Sequence, residues 1–74
     1  MGLALPRPGP ALVRVYAVNG RHVRTLLEDR MPAGNYLLRW DGRDDAGREC
    51  MGGVYVIRAT ADESTVARVL LKMD

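Results

Sequence analysis

The sequence predicts an all-β fold, an antiparallel sandwich of about five to seven short strands. Apolar and polar residues alternate with a period of two through most of the chain, as they do in half-buried strands. Clusters of glycine, proline, asparagine and aspartate separate these segments at roughly ten-residue intervals. No stretch has a convincing helical period: residues 28–35 contain Pro32 and Gly34, and residues 44–50 are short and contain Gly47.

Residues 11–18 form the clearest predicted strand, because they are rich in β-branched side chains and alternate regularly. One face of this strand is wholly apolar and consists of Val13, Val15 and Ala17. Asn19-Gly20 follows and predicts a hairpin with a type I′ turn, in which both central residues have positive φ. The return strand, 21–27, alternates imperfectly, and a β-bulge would reconcile its apolar residues with one face.

Three further strands are predicted along the rest of the chain, at 35–40, 54–61 and 65–73. A loop at 28–34 precedes the first of them, and a polar connection with four glycines, 41–53, precedes the second. Asp62-Glu63 is expected to make a tight turn before the last strand. The first ten residues resemble only the tail of a strand, so the first strand is predicted to be truncated, which would leave a sheet edge unpaired.

Length and composition restrict the chain to one small domain, residues 1–74, and exclude several classes of function. The net charge is only +2 in 74 residues and the cationic side chains form no run, which argues against nucleic-acid binding. No apolar stretch reaches the ~20 residues of a membrane-spanning helix. Residues 1–10 lack the charged and apolar regions of a signal peptide, so we expect none within this sequence.

The side chains that could support catalysis or bind a metal do not form a recognisable motif. The acidic residues in the 41–53 connection do not match the spacing of a calcium-binding loop, and Arg43 and Arg48 lie among them as potential ion-pair partners; they are Asp41, Asp44, Asp45 and Glu49. Cys50 and His22 are each the sole residue of their type, and Ser64 is the sole serine. We therefore expect no catalytic site, no metal, no cofactor and no small-molecule ligand.

A family resemblance is carried by a set of short motifs that extends over residues 3–72. The motifs are Val15-Tyr16, Asn19-Gly20-Arg21, Val23-Arg24-Thr25-Leu26, Ala33-Gly34, Trp40-Asp41-Gly42-Arg43-Asp44, Gly47 and Gly53-Val54-Tyr55. Together they resemble the FlgD/Vpr-type immunoglobulin-like domain, and the most specific part is Trp-Asp-Gly-x-Asp followed by Gly-x-Tyr. The ending, Arg68-Val69-Leu70-Leu71-Lys72, is similar to the strand that closes type IX secretion sorting domains.

The resemblance implies an Ig- or fibronectin-like sandwich whose signature residues are structural. Physical reasoning gives those residues the same roles: an aromatic that buries a large area, turn-forming aspartates, and glycines with positive φ. Loss of Trp40, for example, is expected to cost about 3–5 kcal/mol of stability. The signature residues are Asn19, Gly20, Trp40, Asp41, Gly42, Asp44, Gly47, Gly53 and Tyr55.

Three functions agree with this resemblance. The first is the C-terminal sorting, anchoring or interaction domain of an exported bacterial protein at the cell surface or outside the cell. The second is a fragment of a FlgD-like flagellar hook-assembly scaffold, and the third is an accessory domain of a secreted hydrolase. In each, the partner is a neighbouring domain or another protein, bound through a sheet edge or an apolar face. The outward faces of the strands are unusually apolar, notably at Leu12, Tyr16, Val18, Val54 and Val56.

Overall fold

The computed structural model describes residues 1–61 and 64–73 and contains six β-strands in that part of the chain. The strands are β1 (Gly2–Leu5), β2 (Gly9–Ala17), β3 (His22–Met31), β4 (Gly34–Leu37), β5 (Gly53–Ala61) and β6 (Ser64–Lys72). The predicted all-β class and the predicted number of strands are both confirmed. The turn predicted at Asp62-Glu63 lies outside the described residues.

The strands form two antiparallel sheets, one of four strands in the order β3-β2-β5-β6 and one of two strands, β1-β4. Apolar side chains from both sheets meet in a single core of eight buried residues: Leu3, Leu5, Ala11, Val13, Val15, Val23, Ile57 and Ala59. Three of these come from β2, which lies between β3 and β5 and therefore pairs with two neighbours. The sandwich is therefore organised around β2 and the adjacent half of β5.

The β2–β3 hairpin is confirmed, but its turn differs from the predicted two-residue type I′ turn. The amide of Gly20 donates to the carbonyl of Ala17 at 2.9 Å, and the amide of Ala17 donates to the carbonyl of Arg21 at 2.8 Å. The loop thus has three residues, and its last, Gly20, takes the left-handed conformation with φ of 89°. This arrangement corresponds to the three-residue hairpin loop that ends in a left-handed glycine.

Two irregularities in β3 confirm the predicted bulge. The pairing register between β2 and β3 shifts between Val13 and Arg14 and again between Val15 and Tyr16. Leu26 and Val23 are the extra residues, because Val13 pairs with Leu27, Arg14 with Thr25, and Tyr16 with His22. Each bulge moves the alternation by one position, so side chains that a regular strand would separate lie on the core side.

Two predicted strand boundaries were wrong because pairing with a distant segment decides where a strand ends. β3 continues to Met31, through residues that the sequence placed in a loop, because its last part pairs with the beginning of β2. The strand predicted at 35–40 ends instead at Leu37, where its pairing with β1 ends.

The first strand is short, as predicted, but it is not left unpaired. All four residues of β1 pair with β4, from Gly2 opposite Leu37 to Leu5 opposite Gly34. The inward side chains, Leu3 and Leu5, are buried in the core. The second sheet is therefore anchored to the core by two leucines that lie two residues apart, and so on the same face of β1.

Val15 lies at the centre of the core, and we predict that its truncation is costly. Its side chain has no exposed surface, so Val15→Ala should lower the free energy of unfolding by about 2 kcal/mol through lost burial and a residual cavity. Val18→Ala is the matched control, because Val18 is 76% exposed and its truncation should change stability by less than about 0.5 kcal/mol. Urea unfolding followed by circular dichroism measures both, and equal effects would contradict this assignment of the core.

Candidate interaction surface

The aspartate carboxylates of the 41–53 connection accept hydrogen bonds from backbone amides. Asp44 accepts hydrogen bonds from the amides of Ala46 at 3.0 Å and Arg48 at 2.9 Å, and Asp41 accepts one from the amide of Arg43 at 3.0 Å. Such bonds are the usual means by which aspartate side chains stabilise turns. The predicted role of Asp41 in starting the turn is confirmed.

The same connection is attached to the outer edge of β3 by Asp45. Its carboxylate accepts a hydrogen bond from the amide of Thr25 at 3.0 Å, and its amide donates to the carbonyl of Val23 at 3.1 Å. The Nε2 atom of His22 lies 3.7 Å from the other carboxylate oxygen. These contacts cover backbone groups of β3 that would otherwise face solvent at the sheet edge.

The ion pairs of the acidic residues differ from those expected. Asp41 pairs with Arg24 at 3.5 Å and Glu49 with Lys72 at 4.0 Å, so the partners come from β3 and β6. Arg43, which was expected to pair with these acids, donates instead to the carbonyl of Gly47 at 3.1 Å. Within residues 1–61 and 64–73, no group of three or more histidine, cysteine, aspartate or glutamate side chains could hold a metal ion.

Trp40 and Tyr55 join the connection to the core. Their ring centroids are 4.8 Å apart, and both side chains pack against the buried cluster. The indole Nε1 donates to the carbonyl of Arg43 at 2.8 Å, and the Tyr55 hydroxyl donates to the carbonyl of Met51 at 2.5 Å. Each aromatic ring therefore stabilises the core with its apolar surface and the connection with its polar atom.

Gly42 and Gly47 have positive φ, at 81° and 82°, as predicted. At Gly42 there is a second constraint, because a Cβ atom there would lie only 2.7 Å from the Cε atom of Lys72. Lys72, near the end of β6, thus packs directly on the backbone of the connection. The connection holds β3 at one side of the four-stranded sheet and contacts β6 at the other.

His22, Cys50 and Ser64, the residues considered for nucleophilic catalysis, do not contact one another among the described residues. His22 contacts the ring of Tyr16, the hydroxyl of Thr25 and the carboxylate of Asp45, and none of these contacts involves Cys50. Cys50 is half-buried and its amide donates to the carbonyl of Gly42. Ser64 is exposed at the start of β6.

An open hollow of about 440 Å³ lies at one end of the four-stranded sheet, between β2, β3 and β5. Its walls include Pro10, Leu12 and Ala61, together with the charged side chains of β3 that face this end. None of the signature residues contributes to it.

A partly exposed apolar patch lies on the outer face of β2, β5 and β6. We define the outer patch as Tyr16, Val54, Val56, Val69 and Leu71. These residues are neighbours in the sheet, because Val56 is paired with both Tyr16 and Val69, and Val54 is paired with Leu71. The exposed fractions of Val54, Val69 and Leu71 are 43%, 76% and 65%. Contiguous apolar surface of this kind is typical of interaction sites.

The sequence predicted only part of this surface. Tyr16, Val54 and Val56 were expected on an outward apolar face, whereas Val18 lies outside the patch in the hairpin loop and Leu12 lies farther along β2, opposite Thr60. Val69 and Leu71 were missed. The signal that could have identified them is that neither face of β6 is consistently polar, as an edge strand that faces water on one side would require.

Removing the Asp45 carboxylate should free the edge of β3. We predict that Asp45→Ala lowers the free energy of unfolding by about 1 kcal/mol and increases hydrogen exchange of the Thr25 amide about tenfold. NMR-detected hydrogen exchange measures the second effect. Asp29→Ala is the matched control, since Asp29 accepts only a local hydrogen bond from the Arg30 amide among the described contacts. Unchanged exchange at Thr25 in Asp45→Ala would contradict the proposed attachment.

Two substitutions separate the apolar and polar contributions of Trp40. Trp40→Ala removes the contact with Tyr55 and should cost about 3 kcal/mol of stability. Trp40→Phe keeps an aromatic ring and loses the hydrogen bond to Arg43, so it should cost about 1 kcal/mol. Chemical unfolding followed by circular dichroism compares the two variants, and equal losses would show that the hydrogen bond dominates.

Comparisons with known proteins agree with this architecture. Among the described residues there is no helix long and apolar enough to cross a membrane. A comparison with curated proteins found no match, and neither did a comparison with solved structures. One family model matches residues 2–65, which include the core and the whole 41–53 connection, and its description is the FlgD Ig-like domain. The chain therefore belongs to the FlgD Ig-like domain family.

Proposed function

We propose that this chain is a non-catalytic interaction module that sorts or anchors a larger exported bacterial protein at the cell surface. The observation that carries the proposal is the outer patch. A patch centred on Val54, Val69 and Leu71 is exposed on two regularly paired strands, so the backbone of the patch is already ordered before an interface forms.

The size of the patch indicates what kind of contact it makes. Burial of a valine or leucine side chain contributes about 1.5–3 kcal/mol, so a few such side chains supply the apolar centre of an interface. Contacts around the patch must add the remainder, because stable interfaces bury on the order of 1,000 Å² or more. This favours contact with a neighbouring domain or another protein over binding of a small molecule.

The contacts of the acidic residues support the non-catalytic part of the proposal. Asp41, Asp44 and Asp45 each hold a backbone amide, and a carboxylate used in this way is committed to loop structure. A general acid or base would need a cleft and a reacting group within hydrogen-bonding distance.

A second candidate function is a scaffold role in flagellar hook assembly, which the family match to the FlgD Ig-like domain favours. In the accessory-domain alternative, a hydrolase precedes this module, and the outer patch would likewise serve as the contact surface. All three functions use the chain as a rigid interaction module and differ in the protein that carries it.

Immunodetection of the native protein distinguishes these possibilities. An antibody raised against the 74-residue chain should detect a band far above 8.2 kDa in the envelope fraction or the culture medium. Recovery of that band with purified hook structures would instead support the flagellar role. A band near 8.2 kDa confined to the cytoplasm would overturn the sorting proposal.

The outer patch is tested in the native protein by charge insertion. We predict that the double variant Val69→Lys, Leu71→Lys lowers the amount retained at the cell surface severalfold, because lysines cannot be buried in an apolar contact. Val18→Lys is the matched control, since Val18 is equally exposed but lies outside the patch. Circular dichroism of the isolated variants verifies folding, and unchanged retention would contradict the role of the patch.

A further inference from the structure

β6 is a long, regular edge strand with one free side. Its nine residues pair with β5 without interruption, from Gly53 opposite Lys72 to Ala61 opposite Ser64. In the described sheet, β5 is its only neighbour. Every second amide and carbonyl of an edge strand points away from the sheet, so β6 offers backbone groups to another strand.

The opposite edge of the same sheet is protected in three ways. β3 has two bulges, its first half is hydrogen-bonded to Asp45 of the connection, and its second half contains Glu28, Asp29 and Arg30. Bulges, covering loops and charged residues are the usual means of preventing edge-to-edge pairing. β6 contains neither a bulge nor proline, and most of its side chains are exposed.

The side chains of β6 indicate what sort of strand would fit. On its outer side, Val69 and Leu71 are exposed at 76% and 65%. On its inner side, Arg68 lies opposite the core residue Ile57 and is nevertheless exposed, so the second sheet does not extend over this part of β6. An added strand would therefore place apolar residues beside Val69 and Leu71, and a polar residue beside Arg68.

The charge of β6 favours one kind of partner over another copy of the chain. The strand contains Arg68 and Lys72 and no carboxylate. Lys72 is paired with Glu49, whereas the guanidinium of Arg68 donates a hydrogen bond to the carbonyl of Ala67. Antiparallel pairing of two copies of β6 centred on Arg68 would place the two arginines opposite each other, and like charges directly opposite each other on adjacent strands are destabilising. The same charges favour a strand that carries a carboxylate.

We propose that the free edge of β6 takes up an extended, acidic segment of a partner protein as an additional antiparallel strand. In the partner's chain direction, the segment reads apolar, any residue, apolar, acidic, and these residues lie opposite Leu71, Leu70, Val69 and Arg68. Backbone hydrogen bonds supply affinity, and the side chains opposite Arg68 and the outer patch fix the register. The inference rests on the proposed function and names the partner chemistry of that surface.

The test uses the full 74-residue chain and a synthetic peptide, N-acetyl-Ser-Val-Thr-Val-Glu-Ala-Thr-Asn-amide. NMR titration should show shifts concentrated in β6, and the outward amides of β6 should exchange at least about tenfold more slowly in the complex. A peptide with lysine in place of glutamate should bind about fivefold more weakly, as expected for one cross-strand charge pair.

Charge exchange on the protein completes the test. Arg68→Glu should weaken binding of the glutamate peptide about fivefold and strengthen binding of the lysine peptide by a similar factor. Arg30→Glu, on the opposite edge strand, is the matched control and should leave both affinities unchanged. The reversal of preference in Arg68→Glu would identify the position opposite the carboxylate.

Three outcomes would overturn the inference: no protection of β6, equal affinity for the two peptides, or a concentration-dependent dimer in light scattering that protects β6 without peptide. None of these would refute the proposed function, which depends on surface retention and on the outer patch. Conversely, a cytoplasmic 8.2 kDa protein that binds the peptide would refute the sorting role and leave strand addition intact.

Discussion

The structure depends on the burial of β2 between two neighbouring strands and a covering second sheet. Val13 and Val15 have no exposed surface, and the strand is hydrogen-bonded on both sides. In a chain of 74 residues, one core must supply nearly all of the stabilisation, since small domains bury a limited fraction of their surface. β6, the strand of this sheet that lies farthest from β2, contributes no buried residue among those described.

The strands therefore differ in how many buried residues they contribute to the core. One half of the sandwich contains the core, and the other half exposes its side chains to solvent. Around β2, both layers are present and the inward side chains are covered. At β6, the inner face is exposed at Arg68, and the outer face carries part of the patch, including Val69. A small domain can therefore expose apolar residues for contact without weakening the core, because the exposed residues belong to a strand on which the core depends little.

The 41–53 connection links these two halves. It covers β3 through Asp45, packs on the core through Trp40, and contacts the end of β6 through Gly42 and Glu49. Its side chains form hydrogen bonds with backbone groups that would otherwise face solvent or have no partner. The residues that most resemble a functional motif are thus explained by the geometry of the loop, and the surface available to a partner lies on the strands that the loop leaves open.

Local sequence was sufficient to predict the class of fold, the β2–β3 hairpin, the need for a bulge and the apolar face of β2. These follow from alternation, β-branched side chains and turn-forming residues, which act over a few positions. The continuation of β3 to Met31, the attachment of Asp45 to Thr25 and the exposure of Val69 depended on segments that meet only in the folded chain. An isolated strand carries no information about which of its edges and faces a distant segment will cover, so the pairing partners and the open edge were decided by the tertiary structure alone.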